Sequence, residues 1–401
     1  MNKSPLDILT HLVTAPERLI AGIMSGTSVD AIDVALVKIR GSGEHLELEL
    51  VHYTETLFAE EMQQRIFANA EVSSSNVNDI CLLHTALAHV YSDALRATCM
   101  EAGIDPCSLH LVGMHGQTIR HLPNAMDLAG LSIRSSLQIG SATTLAALSG
   151  IPVVYDFRSG DLALGGQGAP LVPRADWIVF RSDEEHRMIL NLGGIANVTI
   201  LPRACRPEEV IAFDTGPGNM VLDALMRHFY GREFDEDGVI ASSGVVNPDL
   251  LGWMLGHPYF KQHIPKSTGR EQFGEDYLNN MLLLARDLGI DEASDIVATA
   301  AECTVRSIYA QVQPLLPDAS SYRLLLAGGG AKNRFFSEGL RLSFSGASVE
   351  STASLGIPPE AREAVCFAVL ANEWLVGNPG NLPSATGADR EALLGALALP
   401  A

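Results

Sequence analysis

The chain has 401 residues, of which 47% are hydrophobic and 18% charged, and its 47 Asp and Glu against 27 Lys and Arg give a formal net charge of −20 at pH 7. This composition excludes a disordered chain, which would carry more charge and less apolar material, and the negative balance excludes a general nucleic-acid binder, which draws on clustered Lys and Arg. At about 100–200 residues per domain, the length predicts two domains or three.

The six cysteines, Cys81, Cys99, Cys107, Cys205, Cys303 and Cys366, form no C-x-x-C pair and have no His partner at zinc spacing. Scattered thiols of this kind predict a reducing, cytoplasmic compartment. The longest uncharged run, Ser135–Tyr155, is rich in Ser, Thr and Gly, whereas a membrane span needs about 20 mainly apolar residues. It reads as a buried strand and helix, and no membrane partner is expected.

In chain order, apolar and β-branched runs at Leu19–Met24, Ile32–Ile39 and Leu46–Thr54 predict three consecutive strands. Ile80, Leu83, Leu87, Val90 and Leu95 recur at helical spacing and predict a helix over Asp79–Met100, followed by a short strand at Leu109–Met114. A helix near Ala142–Leu148 and a strand at Pro152–Phe157 lead into Gly160–Pro173, whose Gly and Pro read as a crossover between domains. The order then begins again, with strands at Met188–Leu192, Ala196–Leu201 and Val210–Phe213 and a helix from Asn219 to about Tyr230. Helices are expected around Pro248–Leu255, Glu275–Leu288 and Ile296–Val312, then a strand at Tyr322–Ala327, a triple-glycine turn and a terminal helix from about Glu360 to Leu375. Each half opens strand, Gly-containing turn, strand. This predicts a duplicated α/β fold with a first lobe of residues 1–157 plus 363–401, a second of 158–362, and the two sets of turns facing one cleft.

The turn Ser25-Gly26-Thr27-Ser28 ends the first strand with residues small enough for backbone N–H groups and hydroxyls to approach phosphate oxygens, although no Walker pattern is present. Asp30 and Asp33 follow, placed either to hold Mg²⁺ or a sugar hydroxyl or to cap the turn. Asp214 ends a later strand, where ligands of open α/β sheets bind, and Gly216, Gly218 and the helix N-terminus behind them offer donors to an anion. The turn Gly328-Gly329-Gly330 gives a flat base and its ribose a bare backbone to lie against. His115, Gln117 and Arg120, with Gln138, Arg158 and Gln167, supply donors suited to a polyhydroxylated or carboxylated small molecule.

Ten segments carry a resemblance: Gly22–Asp30, His115–His121, Gln138–Gly140, Asp156–Arg158, Gly165–Pro173, Asn191–Gly194, Phe213–Asn219, Pro265–Glu271, Gly328–Ala331 and Thr386–Ala388. In this order they resemble the anhydro-N-acetylmuramic acid kinase family over nearly the whole chain. The resemblance implies the two-lobed actin-like ATPase fold, a duplicated ribonuclease-H-like βββαβα unit with ATP and substrate in the cleft between lobes, and a homodimer. It implies ATP contacts from the loop Gly26, Thr27, Ser28, Val29, Asp30, Ala31, Ile32 and Asp33, from Gly193, Gly194, Asn197, Gly216 and Gly218, and from Gly328, Gly329 and Gly330. It implies sugar contacts from His115, Gln117, Arg120, Gln138, Arg158 and Glu363. Met24 stands where the wider superfamily often has Asp, so the Mg²⁺ ligand stays open between Asp33 and Asp214.

The implied reaction joins ATP, water and 1,6-anhydro-N-acetylmuramic acid to give N-acetylmuramic acid 6-phosphate and ADP, a step of peptidoglycan recycling. An anhydro sugar has no free 6-hydroxyl. A base must therefore direct water to the anomeric carbon while the departing ether oxygen takes the phosphoryl group, and Asp214 is the expected base. Two other readings stay open on the residues: an ordinary sugar kinase in which Asp214 deprotonates a free hydroxyl, and an actin- or chaperone-like nucleotide switch with no small substrate. The switch would leave His115, Gln117, Arg120 and Arg158 without a role.

Overall fold

The computed structural model describes residues 4–316 and 322–400. The chain forms two compact units, Met1–Val179 with Ala361–Ala401, and Phe180–Glu360. In the first unit the strands are β1 (Glu17–Ser25), β2 (Ala31–Arg40), β3 (Glu47–Leu57), β4 (Leu111–Met114), β5 (Gln117–Leu128), β6 (Leu131–Ile139) and β7 (Val153–Tyr155). Its main sheet has the order Ala396–Ala398, β7, β4, β1, β2, β3. β1, β2 and β3 form an antiparallel meander, and β4 and β7 add in parallel on the other side of β1.

The second unit holds β8 (His186–Leu192), β9 (Ile195–Leu201), β10 (Ile211–Pro217), β11 (Tyr322–Ala327) and β12 (Ala347–Ser351), in the order β10, β9, β8, β11, β12. Here too the first three strands are antiparallel and the last two parallel to the first. Both units therefore repeat one ribonuclease-H-like topology, the duplicated βββαβα fold of actin-like ATPases. In each, the turns that follow the parallel strands and the third meander strand emerge at one end of the sheet, where ligands of such sheets bind.

Helix Arg362–Val376 follows the second unit in sequence yet packs on the first, and two glycines explain how. A Cβ at Gly22 on β1 would lie 1.8 Å from the Ala364 carbonyl oxygen, and one at Gly113 on β4 would lie 2.1 Å from that of Phe367. With hydrogen in both places the helix backbone rests on the sheet. Its first turn, with Glu363, is thereby fixed over β1.

Two expectations are corrected here. The change of unit falls at 179/180 and 360/361 rather than 157/158 and 362/363, because residues 158–179 are bonded into the first unit. The buried Asp161 accepts hydrogen bonds from Gly168 N, Asn381 Nδ2 and Thr386 Oγ1 at 2.7–2.8 Å, so Gly160–Pro173 is an anchored strap holding helix Ser159–Ala163 and not a crossover. The run Ser135–Tyr155 holds helix Ala142–Ser149 and the buried strand β7 as expected, but it opens on the end of β6, which belongs to the β5–β6 hairpin, a separate two-stranded sheet whose outer part is exposed on both faces. Among the described residues no helix is long and apolar enough to cross a membrane.

The close approach at β1 yields a stability prediction. Gly22→Ala forces the helix off the sheet and is expected to cost about 3 kcal/mol, the upper end for overpacking. Urea unfolding of the variant beside wild type measures it, and an unchanged midpoint contradicts the packing described.

Candidate functional site

In the first unit the β1–β2 loop is held from inside. Ser25 turns its hydroxyl to Tyr91 Oη at 2.8 Å, and Val29 adopts a left-handed φ of 54° while its side chain sits in the core. A β-branched residue in that region is strained by about 1–3 kcal/mol, and burial of the isopropyl group offsets this. Thr27 and Ser28 are exposed and Gly26 is half-buried. A Cβ on Gly26 would meet nothing closer than 3.6 Å. Asp30 serves as the turn cap, accepting from Ser28 Oγ at 2.7 Å and from Ala31 N at 2.9 Å. Ala31 and Ile32 are buried in β2. Of the eight loop positions implied to meet ATP, Gly26–Ser28 and Asp30 are the accessible ones, Asp33 is half-buried, and Val29, Ala31 and Ile32 face the core.

Asp33 on β2 lies beside Glu55 on β3 and accepts a 2.5 Å hydrogen bond from Tyr53 Oη. Burial pushes its pKa up to about 7; the tyrosine opposes the shift, and Glu55, Glu363 and Asp30 add to it. Burial also raises Glu363, against the pull of Arg362 and Arg158. Arg362 is itself paired with Asp176 in the core through two hydrogen bonds, Nε to Oδ1 at 2.9 Å and Nη2 to Oδ2.

After β4 the structure brings His115, Gln117 and Arg158 together. Arg158 donates from Nη2 and Nε to His115 Nε2 at 2.8 and 3.2 Å, and from Nη1 to the Gly168 carbonyl at 2.6 Å. The imidazole is neutral with its proton on Nδ1, since burial and then the Arg158 charge push its pKa down to about 3. Arg158 is therefore a brace between β4 and the strap. Arg120 is different: it stands exposed on β5 and makes no hydrogen bond or ion pair among the described residues. Gln138 on β6 donates to Ser136 Oγ and Thr118 Oγ1 at 2.7 and 3.1 Å. Gln117, expected to touch sugar, is fully buried, and its Nε2 donates to the Gly26 carbonyl at 3.0 Å.

In the second unit Asp214 is placed near the end of β10, opposite Asn197 on β9. Its N–H donates to the Lys266 carbonyl at 3.1 Å, its own carbonyl accepts from Tyr259 Oη at 2.6 Å, and its carboxylate accepts from Thr268 N at 2.9 Å. The segment 259–268 thus clamps the residue from both sides of its peptide. Burial pushes Asp214 up to about 6; the Thr268 amide opposes the shift and Glu271 adds to it. Thr268 lies in Pro265–Glu271, a segment whose motif was visible in the sequence but whose role was not, because a backbone amide leaves no residue-type signature.

The glycines of this unit are explained by packing as well as by access. Gly218 N and Asn219 N donate to the Gly194 and Gly193 carbonyls at 2.9 and 2.8 Å, and Met220 N to Gly194 at 3.0 Å. These first donors of helix Asn219–Tyr230 are therefore spent inside the protein, contrary to the expectation that they face an anion. Gly216 has φ 131°, and a Cβ there would meet Phe260 at 2.7 Å. Gly328 and Gly330 lie against Asn191 and Leu192, whereas Gly329 is exposed with nothing within 4 Å of its Cβ position. Gly329 is thus the bare backbone suited to a flat ring. The β8–β9 turn, Asp214 and this turn all leave the same end of the sheet.

A family model described as anhydro-N-acetylmuramic acid kinase matches residues 18–400. A protein of that name from Salinibacter ruber is 42% identical over 396 residues, covering 98% of this chain and 100% of the relative. One from Caldanaerobacter subterraneus is 40% identical over 397 residues with the same coverage of each, and one from Bacillus cereus is 40% identical over 384 residues, 95% of this chain and 99% of its own.

The raised Asp214 has a consequence for stability. Its folded pKa lies above the value of an unfolded chain, so ionising it disfavours the fold as pH rises from about 4 through 6. Asp214→Asn, which has no charge to bury, is expected to unfold at a higher temperature than wild type at pH 8 and to lose that advantage at pH 4. Thermal melts at the two pH values check this; an Asn variant less stable at pH 8 contradicts it.

Proposed function

The chain belongs to the anhydro-N-acetylmuramic acid kinase family, and from that premise we propose how its residues divide the work of opening the 1,6-anhydro bridge and phosphorylating O6. The observation that carries the reading is Asp214, a clamped carboxylate with its pKa raised to about 6, at the strand end where this fold binds ligands. Asp214 takes the proton of a water directed at the anomeric carbon. The C1–O6 bond breaks, its electron pair stays on O6, and O6 receives the phosphoryl group that ATP supplies. A base of pKa about 6 is ionised at neutral pH yet basic enough to help.

In the first unit the open space at Gly26 and the exposed Thr27 and Ser28 suit phosphate oxygens, and in the second unit, taken by itself, the bare Gly329 suits a flat base. Among the described residues no group of three or more His, Cys, Asp or Glu converges on a metal. This fits Mg²⁺, which is commonly held by one or two carboxylates plus substrate phosphates and water, and Asp33 is the carboxylate we assign to it. A water-opened, phosphorylated amino sugar is a product suited to cell-wall recycling in the cytoplasm, consistent with six free thiols.

For the sugar's lactyl carboxylate, Arg120 is the cation with its donors unspent, whereas Arg158 is committed to His115 and Gly168.

Four outcomes test this. The kcat/KM of wild type should fall as pH drops through about 6, and Asp214→Asn should lose at least about a hundredfold in turnover while still binding a non-hydrolysable ATP analogue. Retained turnover removes Asp214 as the base. Arg120→Gln should narrow the preference for anhydro-N-acetylmuramic acid over anhydro-N-acetylglucosamine by about 1.5–3 kcal/mol, the range of a charged hydrogen bond. Arg158→Gln should instead lower the melting temperature and keep the preference; the reverse pattern would exchange the two roles.

A further inference from the structure

We propose that Gln117 is a positioning residue for the phosphate loop rather than a ligand of the sugar. It rests on the reading that Gly26–Ser28 meets the phosphates. Gln117 opens β5, directly after Gly116, whose φ of 80° turns the chain away from β4. A Cβ on Gly116 would stand 2.9 Å from the Ile139 carbonyl oxygen, so this corner is pinned against the end of β6. From that fixed base the Gln117 side chain, with none of its surface exposed, reaches the Gly26 carbonyl with Nε2 at 3.0 Å. A sugar ligand would need an accessible polar atom, and Gln117 has none.

The geometry of the peptide group says what this contact does. The Gly26 carbonyl and the Thr27 N–H belong to one planar, trans unit and point in opposite directions. Drawing the carbonyl inward to Gln117, with Val29 N adding a second bond at 3.3 Å, aims the Thr27 N–H outward. That N–H has no partner among the described residues, and Thr27 itself is exposed. Gln117 thus orients an outward donor of the kind that receives phosphate oxygens. Its own Oε1 is buried without a partner. A half-satisfied amide in a core disfavours the fold, and such local conflicts are expected where a residue serves a site rather than packing.

Isothermal titration of wild type, Gln117→Leu, Gln117→Glu and Gly26→Val with AMP-PNP and Mg²⁺, and separately with the anhydro sugar, tests the assignment. Gln117→Leu should bind AMP-PNP about 5- to 10-fold more weakly, the loss of one hydrogen bond, with sugar affinity unchanged. Gln117→Glu distinguishes positioning from mere support. Protonated, its carboxyl can still donate to the Gly26 carbonyl; ionised, it repels it. Relative to wild type at each pH, its AMP-PNP affinity should be near normal in acid and fall as pH rises. Lowered thermal stability with wild-type AMP-PNP affinity at every pH, or a loss confined to sugar binding, overturns the assignment. Gly26→Val separates the two levels: if it keeps AMP-PNP affinity, the phosphate-loop reading fails and this inference with it. If it loses that affinity and the Gln117 variants do not, only the inference fails.

Discussion

A largely buried carboxylate with a single backbone amide to receive it is the constraint around which the second unit is arranged. Asp214 could relieve its burial by swinging to solvent, and the clamp prevents this. Lys266 fixes its N–H, Tyr259 its carbonyl and Thr268 its side chain, while a register shift between Asp214 and Gly216 interrupts the pairing with β9, which resumes at Gly216 and Ala196. Burial makes the residue costly to ionise and raises its affinity for a proton; the Thr268 amide offsets part of that rise and keeps the carboxylate directed. Stability is given up locally for reactivity, and the β-sheet core beneath, with Phe213 and Val198 buried, is large enough to sustain the loss.

The two units use one topology in different ways. In the first, side chains near the strand ends make the bonds: Arg158 to the His115 ring, Tyr53 to the Asp33 carboxylate, and Gln117 to the Gly26 backbone carbonyl. Backbone position there is set by side chains reaching inward. In the second, the strand ends meet through glycine, with Gly218 against the β8–β9 turn and Gly328 and Gly330 against Asn191 and Leu192. Backbone packs on backbone, and only Gly329 is left bare.

Most strands and long helices were legible because burial on both faces leaves apolar runs such as Val34–Val37 and Met188–Leu190, and because the helix from Asn219 begins and ends at glycines. The β5–β6 hairpin was not, since Leu131–Leu137 exposes both faces and so shows no alternation of buried and open positions. The unit boundary was misplaced because Gly and Pro in 160–173 signal any turn-rich segment, and the bonds that anchor this one come from Asn381 and Thr386, more than two hundred residues away. At the candidate site, residue types drew Asp214, the triple-glycine turn and the arginines into one list from their setting, but they could not tell an open donor from a brace. Gln117 and Arg158 look like ligands in sequence, and only their hydrogen-bond partners show how their donors are used.

The central claim is that burial lifts the Asp214 carboxylate toward neutrality. Carbon-13 NMR of protein labelled at the aspartate side-chain carboxyl, with the Asp214 resonance identified by its absence in an Asn variant, measures this directly. The account predicts a titration midpoint near 6. A midpoint near 4, that of an exposed aspartate, would contradict it.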